Sequence, residues 1–328
     1  MILSVRDLAI GFRRGAGYIS AVDGISFDVA AGETFVIIGE SGSGKSLTGM
    51  SIAGLQPREA VTSGSIRFHG KELLNRKDAD LRRIRGPGIG LVYQDPLSSL
   101  NPVWPVGNQI AEVLTAHRLA DGKAAQRRAV EMLDRIRIPD PSRVARAYPH
   151  EISGGMRQRA MIAMALAAGP SLLIADEPTT ALDVTIKAQV LDLLQELKRE
   201  LSLTILLITH DMGVVAAIAD RILVMYAGRT AEIGSADIIL TAPSHPYSAA
   251  LMKSAMISET PPKQDLEAIT GTAPGLGAFP DACRFHPRCP LAQPDCSSVN
   301  PHRRPFGPVE IACHHPLKHI HDLPQVGT

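Results

Sequence analysis

Gly39-Glu-Ser-Gly-Ser-Gly-Lys-Ser46 satisfies G-x-x-x-x-G-K-[ST] at every fixed position. Gly39, Gly42 and Gly44 let the backbone curl so that successive N–H groups, through Ser41 and Ser43 to Leu47, point inward as an anion cradle. A helix opening at the end of the loop adds the positive end of its dipole. In that setting Lys45 reaches the β- and γ-phosphates of a nucleotide and the Ser46 hydroxyl ligates Mg²⁺. A second pair of groups ends the apolar run Leu172-Leu-Ile-Ala-Asp-Glu177. Asp176 is placed to hold Mg²⁺ through water, and Glu177 to orient and deprotonate an attacking water. Adjacent carboxylates at a strand end can equally serve solvation; the glycine loop gives these two a phosphate to act on.

The elements that must position these groups are legible around them. Thr34-Phe-Val-Ile-Ile38, Ser171–Ala175 and Thr204–Ile208 are short apolar runs bounded by turn residues, the pattern of central parallel strands covered on both faces. Between the last two, Ile186, Val190, Leu193, Leu194 and Leu197 recur at helical spacing, with Asp183 as N-cap. A strand before the glycine loop and a helix over Leu47–Leu55 complete the frame. The pattern predicts an α/β domain with a parallel sheet, strands and helices alternating over the first 240 residues. Residues from about 95 to 155 lack a comparable strand and carry helical segments such as Ala124–Ile136, which predicts a helical insert. Arg221–Gly228 and Arg229–Ile233 read as a hairpin. Ser258-Glu-Thr-Pro-Pro-Lys-Gln264 reads as a linker.

Lys and Arg number 34 against 33 Asp and Glu, a net charge of +1 over 328 residues. That balance argues against a protein that coats nucleic acid or anionic lipid. With 45% hydrophobic and 20% charged residues the composition is that of a folded chain rather than a disordered one. Arg6 and Asp7 fall where a leader's apolar core would lie, and Gly169-Pro-Ser171 cuts the most apolar stretch. Neither a leader nor a membrane span is expected.

Cys283, Cys289, Cys296 and Cys313 fall in the last 46 positions of a chain otherwise lacking cysteine. Their crowding suggests one four-thiolate site, suited to an iron–sulfur cluster or to zinc, with unmetallated thiols as the third reading. No C-x-x-C is present, so a zinc-ribbon pattern is not met. His286, His314 and His315 are potential competing ligands.

Four further segments narrow the field: Tyr93-Gln-Asp-Pro96, Ser153-Gly-Gly-Met-Arg-Gln-Arg159, Ala181-Leu-Asp183 and Thr209-His-Asp211. With the glycine loop and Asp176-Glu177, their order and spacing over residues 1–240 resemble the ATP-binding cassette (ABC) ATPases, a P-loop NTPase fold with a helical subdomain. The resemblance implies that Gln94 touches Mg²⁺ and the water and communicates with a membrane partner. It implies that Ser153, Gly154 and Gly155 cap the γ-phosphate bound by another ATPase subunit, that Asp183 lies at the dimer seam, and that His210 contacts the γ-phosphate. An aromatic residue upstream of the loop stacks on adenine in this family, here Tyr18 with Phe12 as the alternative. Two departures stand out: Met156 where glutamine is common, and Thr180 where serine often starts the D-loop segment.

Phe285-His-Pro-Arg-Cys-Pro290, the neighbouring cysteines and Ser244-His-Pro-Tyr247 resemble the C-terminal extension of the oligopeptide/dipeptide importer subfamily, some members of which carry a [4Fe–4S] cluster there. The implied organisation is a cassette over 1–240 and a small Cys-rich extension over 241–328. The implied role is ATP hydrolysis at the cytoplasmic face of the inner membrane, with ATP and Mg²⁺. The implied partners are a second ATPase subunit (a heterodimer), two transmembrane permeases and an extracytoplasmic solute-binding protein, with no nucleic acid. Peptides are the expected cargo; nickel, glutathione or another small solute would leave the ATPase role unchanged. A soluble cassette protein acting on ribosomes or DNA fits less well, because this chain has a single cassette and no coiled-coil insertion.

Overall fold

A computed structural model describes residues 1–15, 17–93, 99–180, 182–255 and 269–318. All five residues of β3 (Thr34–Ile38) are buried, and so are all five of β8 (Thr204–Ile208). β3 runs parallel to β8 on one side and to β9 (Arg221–Tyr226) on the other; β8 continues to β7 (Leu172–Asp176) and β7 to β6 (Ile89–Val92), all parallel. Successive side chains of a strand point to opposite faces. Val36 and Ile38 accordingly join the core beneath the helices, while Phe35 and Ile37 join a second core on the other face. That double burial explains the unbroken apolar runs. The helix Val184–Leu201 crosses from β7 to β8 with Val190, Leu193, Leu194 and Leu197 buried, and the Asp183 side chain caps it as expected.

The second core is closed by an antiparallel sheet of β1 (Leu3–Arg14), β2 (Gly17–Val29), β4 (Ala60–Phe68) and β5 (Lys71–Glu72), in the order β2-β1-β4-β5. Phe27 of this sheet stacks on Phe35 with ring centroids 5.1 Å apart. The expected alternation of strands and helices therefore begins only at Thr34. Register shifts between Val5 and Leu8 and between Leu8 and Ile10 displace the two-residue period, which hides β1 from a pattern reading.

Within the predicted helical insert the described residues include helices Val106–Ala116, Gly122–Arg135 and Pro141–Arg146, and a further helix, Gly154–Leu166, starts at the expected boundary and runs past it. Ala125, Ala129 and Leu133, four apart, form the buried stripe of the second of these. The expected hairpin is β9 with β10 (Arg229–Ser235), antiparallel.

The chain beyond β10 is joined to the sheet. β12 (Val309–Ile311) pairs with β10, and β11 (Arg304–Phe306) with β12, so these short strands extend the parallel sheet at its β10 edge. Glu232 of β10 is fully buried, and its carboxylate accepts from the backbone N–H groups of Ser244 (2.8 Å) and His245 (3.0 Å) at the start of helix Pro246–Ala255. Burial raises the Glu232 pKa, against those two donors, which favour the ionised form. Glu232→Ala is expected to lower the unfolding free energy by about 1–3 kcal/mol for each N–H left unpaired, read as a shift in denaturant midpoint. The raised native pKa means that the folded state holds this proton more tightly than the unfolded chain does. Stability therefore falls as pH rises from the ordinary glutamate range through the native value, a decline that the variant lacks. The expected linker Ser258–Gln264 lies outside the described residues. No described helix is long and apolar enough to cross a membrane.

Candidate nucleotide site

The loop after β3 is shaped by two glycines. Gly39 has φ 149°, and a Cβ there would stand 2.1 Å from the Met225 carbonyl oxygen; Gly44 has φ 94°, and a Cβ there would meet Val22 Cγ2 at 2.8 Å. Neither position accepts a side chain without moving the loop. The helix begins at Lys45 and runs to Ile52, two residues ahead of the predicted start. Lys45 is buried, and its ammonium donates to Gly39 O (2.6 Å), Glu40 O (2.8 Å) and Ser43 Oγ (3.3 Å). Burial lowers its pKa, opposed by the charges of Glu177, Asp176 and Glu40. Residues 39–47, Glu177 and His210 line a cavity of about 950 Å³, together with Phe12, Leu276 and Arg288.

β7 ends beside this cavity: Glu177, the next residue, lines it, and Asp176 reaches it through the Ser46 hydroxyl. Asp176 Oδ1 is buried without a hydrogen-bond partner among the described residues, and the Ser46 hydroxyl bonds the same side chain. Burial raises the Asp176 pKa; the Ser46 bond and the Lys45 charge act the other way. An unpaired buried carboxylate oxygen beside a hydroxyl is a hard, all-oxygen donor set, which fits Mg²⁺. Glu177 follows with φ 50°, a left-handed conformation uncommon for a side-chain-bearing residue and concentrated at functional sites. Its N–H bonds Ile208 O at 2.8 Å, which sets it beside the end of β8. Glu177 Oε2 accepts from the hydroxyls of Thr180 (3.0 Å) and Thr209 (3.5 Å), and His210 Nδ1 lies 2.5 Å from Oε1. Thr180, a departure from the family pattern in sequence, thus supplies a donor to Glu177. Thr209 was visible only as the neighbour of His210.

The other expected groups lie elsewhere. Ser153 caps the helix Gly154–Leu166, its Oγ accepting from Met156 N at 3.3 Å. Ser153 and Gly154 are exposed, Gly155 is half-buried, and none of the three lines the cavity around Lys45. Asp183 is exposed and accepts from Ile186 N at 2.9 Å. A Cβ on Gly155 would approach Ile186 Cγ2 at 2.9 Å, so these two helix starts share one open surface, where Val184 is 82% exposed. Phe12 lines the cavity; Tyr18 stands on the paired strand opposite Arg13, about half exposed and outside the lining. Gln94 lies outside the described residues.

The four cysteines are free thiols gathered in the extension. Cys283 N–H bonds Cys296 O at 3.2 Å. Burial pushes the Cys289 thiol up to about 11 and Cys313 to about 12, and the neighbouring cysteines add to both shifts. Thiolates are the donor class of iron–sulfur clusters and of zinc, but no three of the four sulfur atoms come within 4.8 Å of one another among the described residues, so the expected four-thiolate site is not assembled here. His286 Nδ1 and His314 Nε2 are engaged by the carbonyl oxygens of Cys283 and Val299. Ligand atoms of Asp295, Cys296 and His315 lie within 4.8 Å of one another, so His315 remains the competing histidine.

The ABC transporter family profile matches residues 22–180, and the oligopeptide/dipeptide transporter C-terminal region matches residues 231–296. The chain is 47% identical over 307 residues to the dipeptide transport ATP-binding protein DppD of Bacillus subtilis, covering 92% of this chain and 90% of that one. It is 45% identical over 325 residues to the oligopeptide transport ATP-binding protein OppD of Escherichia coli, covering 97% and 94%. Among solved structures, the dimeric ATP-binding cassette MJ0796 bound to ADP and Pi superimposes with a TM-score of 0.64 at 28% identity, over 71% of this chain and 98% of that one. The phosphate loop on a buried parallel sheet, the carboxylate pair at its rim and 45% and 47% identity to relatives aligned over 94% and 90% of their lengths lead to one assignment: this chain is an ATPase of the ABC transporter family, in the branch that carries the oligopeptide/dipeptide transporter C-terminal region.

Proposed function

We propose that this chain is the ATP-hydrolysing subunit of a peptide importer, acting in pairs that close on two ATP molecules. The observation that carries this reading is the separation of two anion cradles. The Lys45 loop lies inside the cavity, whereas Ser153–Gly155 stands at an exposed helix N-terminus outside its lining. A second ATPase subunit placed head to tail brings its own serine–glycine cradle to the γ-phosphate held by Lys45, with Asp183 and the exposed Val184 at the seam. The dimeric state of the MJ0796 cassette supports this.

Within one half-site the loop N–H groups and Lys45 bind the β- and γ-phosphates, the ammonium turning from Gly39 O and Glu40 O. Ser46, Asp176 and Gln94 would hold Mg²⁺, which supplies neutralisation of phosphate charge when bound. Glu177, held by Thr180, Thr209 and His210, orients the attacking water and takes its proton, and His210 contacts the γ-phosphate. Phe12 is favoured over Tyr18 for the adenine by its place in the cavity wall.

The names of DppD and OppD, dipeptide and oligopeptide transport ATP-binding proteins, support peptides as cargo. The same reading gives the chain a second, different ATPase subunit, two permeases and an extracytoplasmic solute-binding protein as partners, and a peripheral place at the cytoplasmic face of the inner membrane. Val103 and Trp104, 74% and 43% exposed just past the Gln94 segment, suit a permease contact. Co-purification with the permeases, and ATP turnover stimulated by a peptide-loaded solute-binding protein, test the assignment; stimulation by nickel or glutathione carriers alone would replace the cargo.

The four thiolates are read as ligands of a [4Fe–4S] cluster. Anaerobically purified chain is expected to contain iron and acid-labile sulfide in equal amounts, both lost in Cys296→Ser. Zinc without sulfide would assign the thiolates to zinc, and neither metal would leave them unligated.

A further inference from the structure

Arg288 precedes Cys289, yet it serves the phosphate loop. A guanidinium has five N–H donors, and all of those of Arg288 are placed. Nε donates to Thr270 O at 2.8 Å; Nη1 donates to Glu40 Oε2 at 2.6 Å and Tyr226 Oη at 3.2 Å; Nη2 donates to Glu40 Oε1 at 3.0 Å and Gly271 O at 3.2 Å. The Arg288 side chain is 6% exposed. Glu40, the first variable residue of the loop, is held from two further directions. Its N–H donates to Tyr247 Oη at 2.9 Å, and its carbonyl accepts from Lys45 at 2.8 Å. Arg288 and Tyr247 both come from beyond β10, a part of the chain that phosphate binding does not in itself require.

We propose that Arg288 is a positioning residue for the phosphate loop, acting through Glu40, so that the C-terminal extension sets the affinity of the site for nucleotide. The inference deepens the nucleotide reading above and rests on it. Two effects act together. A bidentate charge-assisted pair fixes the Glu40 side chain, and with it the start of the loop whose N–H groups must converge on phosphate. The same pair neutralises a carboxylate that lines a cavity built for anions; released, Glu40 repels the phosphates. By reciprocity, bound nucleotide tightens the extension.

The test uses full-length chain for Mg²⁺-ATP binding and the assembled transporter for turnover. Arg288→Met is expected to raise Kd and KM about tenfold while kcat changes less than about twofold. Adding Glu40→Gln to Arg288→Met should recover the part of the affinity lost to the freed charge and leave the part lost with the fork; an arginine that acts other than through Glu40 gives no such partial rescue. Tyr247→Phe, which keeps the ring and deletes the acceptor of Glu40 N–H, is expected to raise Kd about threefold. If Arg288→Met fails to fold, Arg288→Lys decides, since it keeps charge but loses the fork. A Kd within about twofold of the parent in the folded arginine variant overturns the proposal. Lys45→Ala separates the two failures: unimpaired binding in that variant defeats the nucleotide reading itself, whereas binding lost there and kept in Arg288→Met defeats only this inference.

Discussion

Glu177→Gln is expected to lower ATP turnover by the assembled enzyme about 10²–10⁴-fold, the range for loss of a positioned general base, while ATP binding persists. That corresponds to about 3–5 kcal/mol of barrier. The amide is close in size and still accepts a hydrogen bond from Thr180 or Thr209, so the fold of the site is preserved. What it cannot do is take the water's proton. The bound nucleotide then remains ATP and the paired subunits remain closed, which a filter assay for retained ATP and a sizing measurement both read. Glu177 is suited to the role by geometry: its side chain is 11% exposed, its backbone is fixed at φ 50°, and three side chains converge on its two oxygens. Undiminished turnover in the variant would remove Glu177 from the position of base and leave water activation to another group.

The catalytic half of this arrangement was legible in sequence because it is local. A parallel strand buried on both faces writes itself as an unbroken apolar run, and its end is where the ligand crevice opens. Thr34–Ile38 and Leu172–Asp176 therefore located both the glycine loop and the carboxylates. The antiparallel sheet was hidden because bulges in β1 break its alternation, and β11 and β12 because three-residue strands hold too few side chains to show a period. The contact of Glu177 with Thr209 depends on the register that sets β7 beside β8, whereas Thr180, three residues further along the same loop, is local. The Arg288–Glu40 pair closes over 248 residues of chain, a separation at which spacing carries no information. In the extension, the cysteines stand out because cysteine occurs nowhere else, while the arginine beside them enters only as one position of the Phe285–Pro290 motif.

Ser153→Arg is expected to leave Mg²⁺-ATP binding by the isolated chain within about twofold of the parent and to reduce turnover by the assembled pair about 10²-fold or more. The asymmetry follows from where Ser153 sits. It caps a helix of 13 residues at an exposed N-terminus and takes no part in lining the cavity around Lys45, so the chain's own nucleotide does not meet it. On the proposed pairing its effect is exerted across the seam, where the helix N-terminus meets a γ-phosphate held by the facing subunit. A long cation there fills the cradle and keeps the halves apart. Loss of the serine cap costs about 1 kcal/mol of stability, too little to unfold the chain, so a fall in activity is not explained by a missing subunit. In a heterodimer with one altered subunit, the defect should appear at the nucleotide bound by the unaltered one, which labelled ATP trapped at each site resolves. A strictly monomeric chain that hydrolyses ATP as fast as the pair, or an altered pair with full turnover, would show that each half-site is complete in itself and that the exposed cradle serves something else.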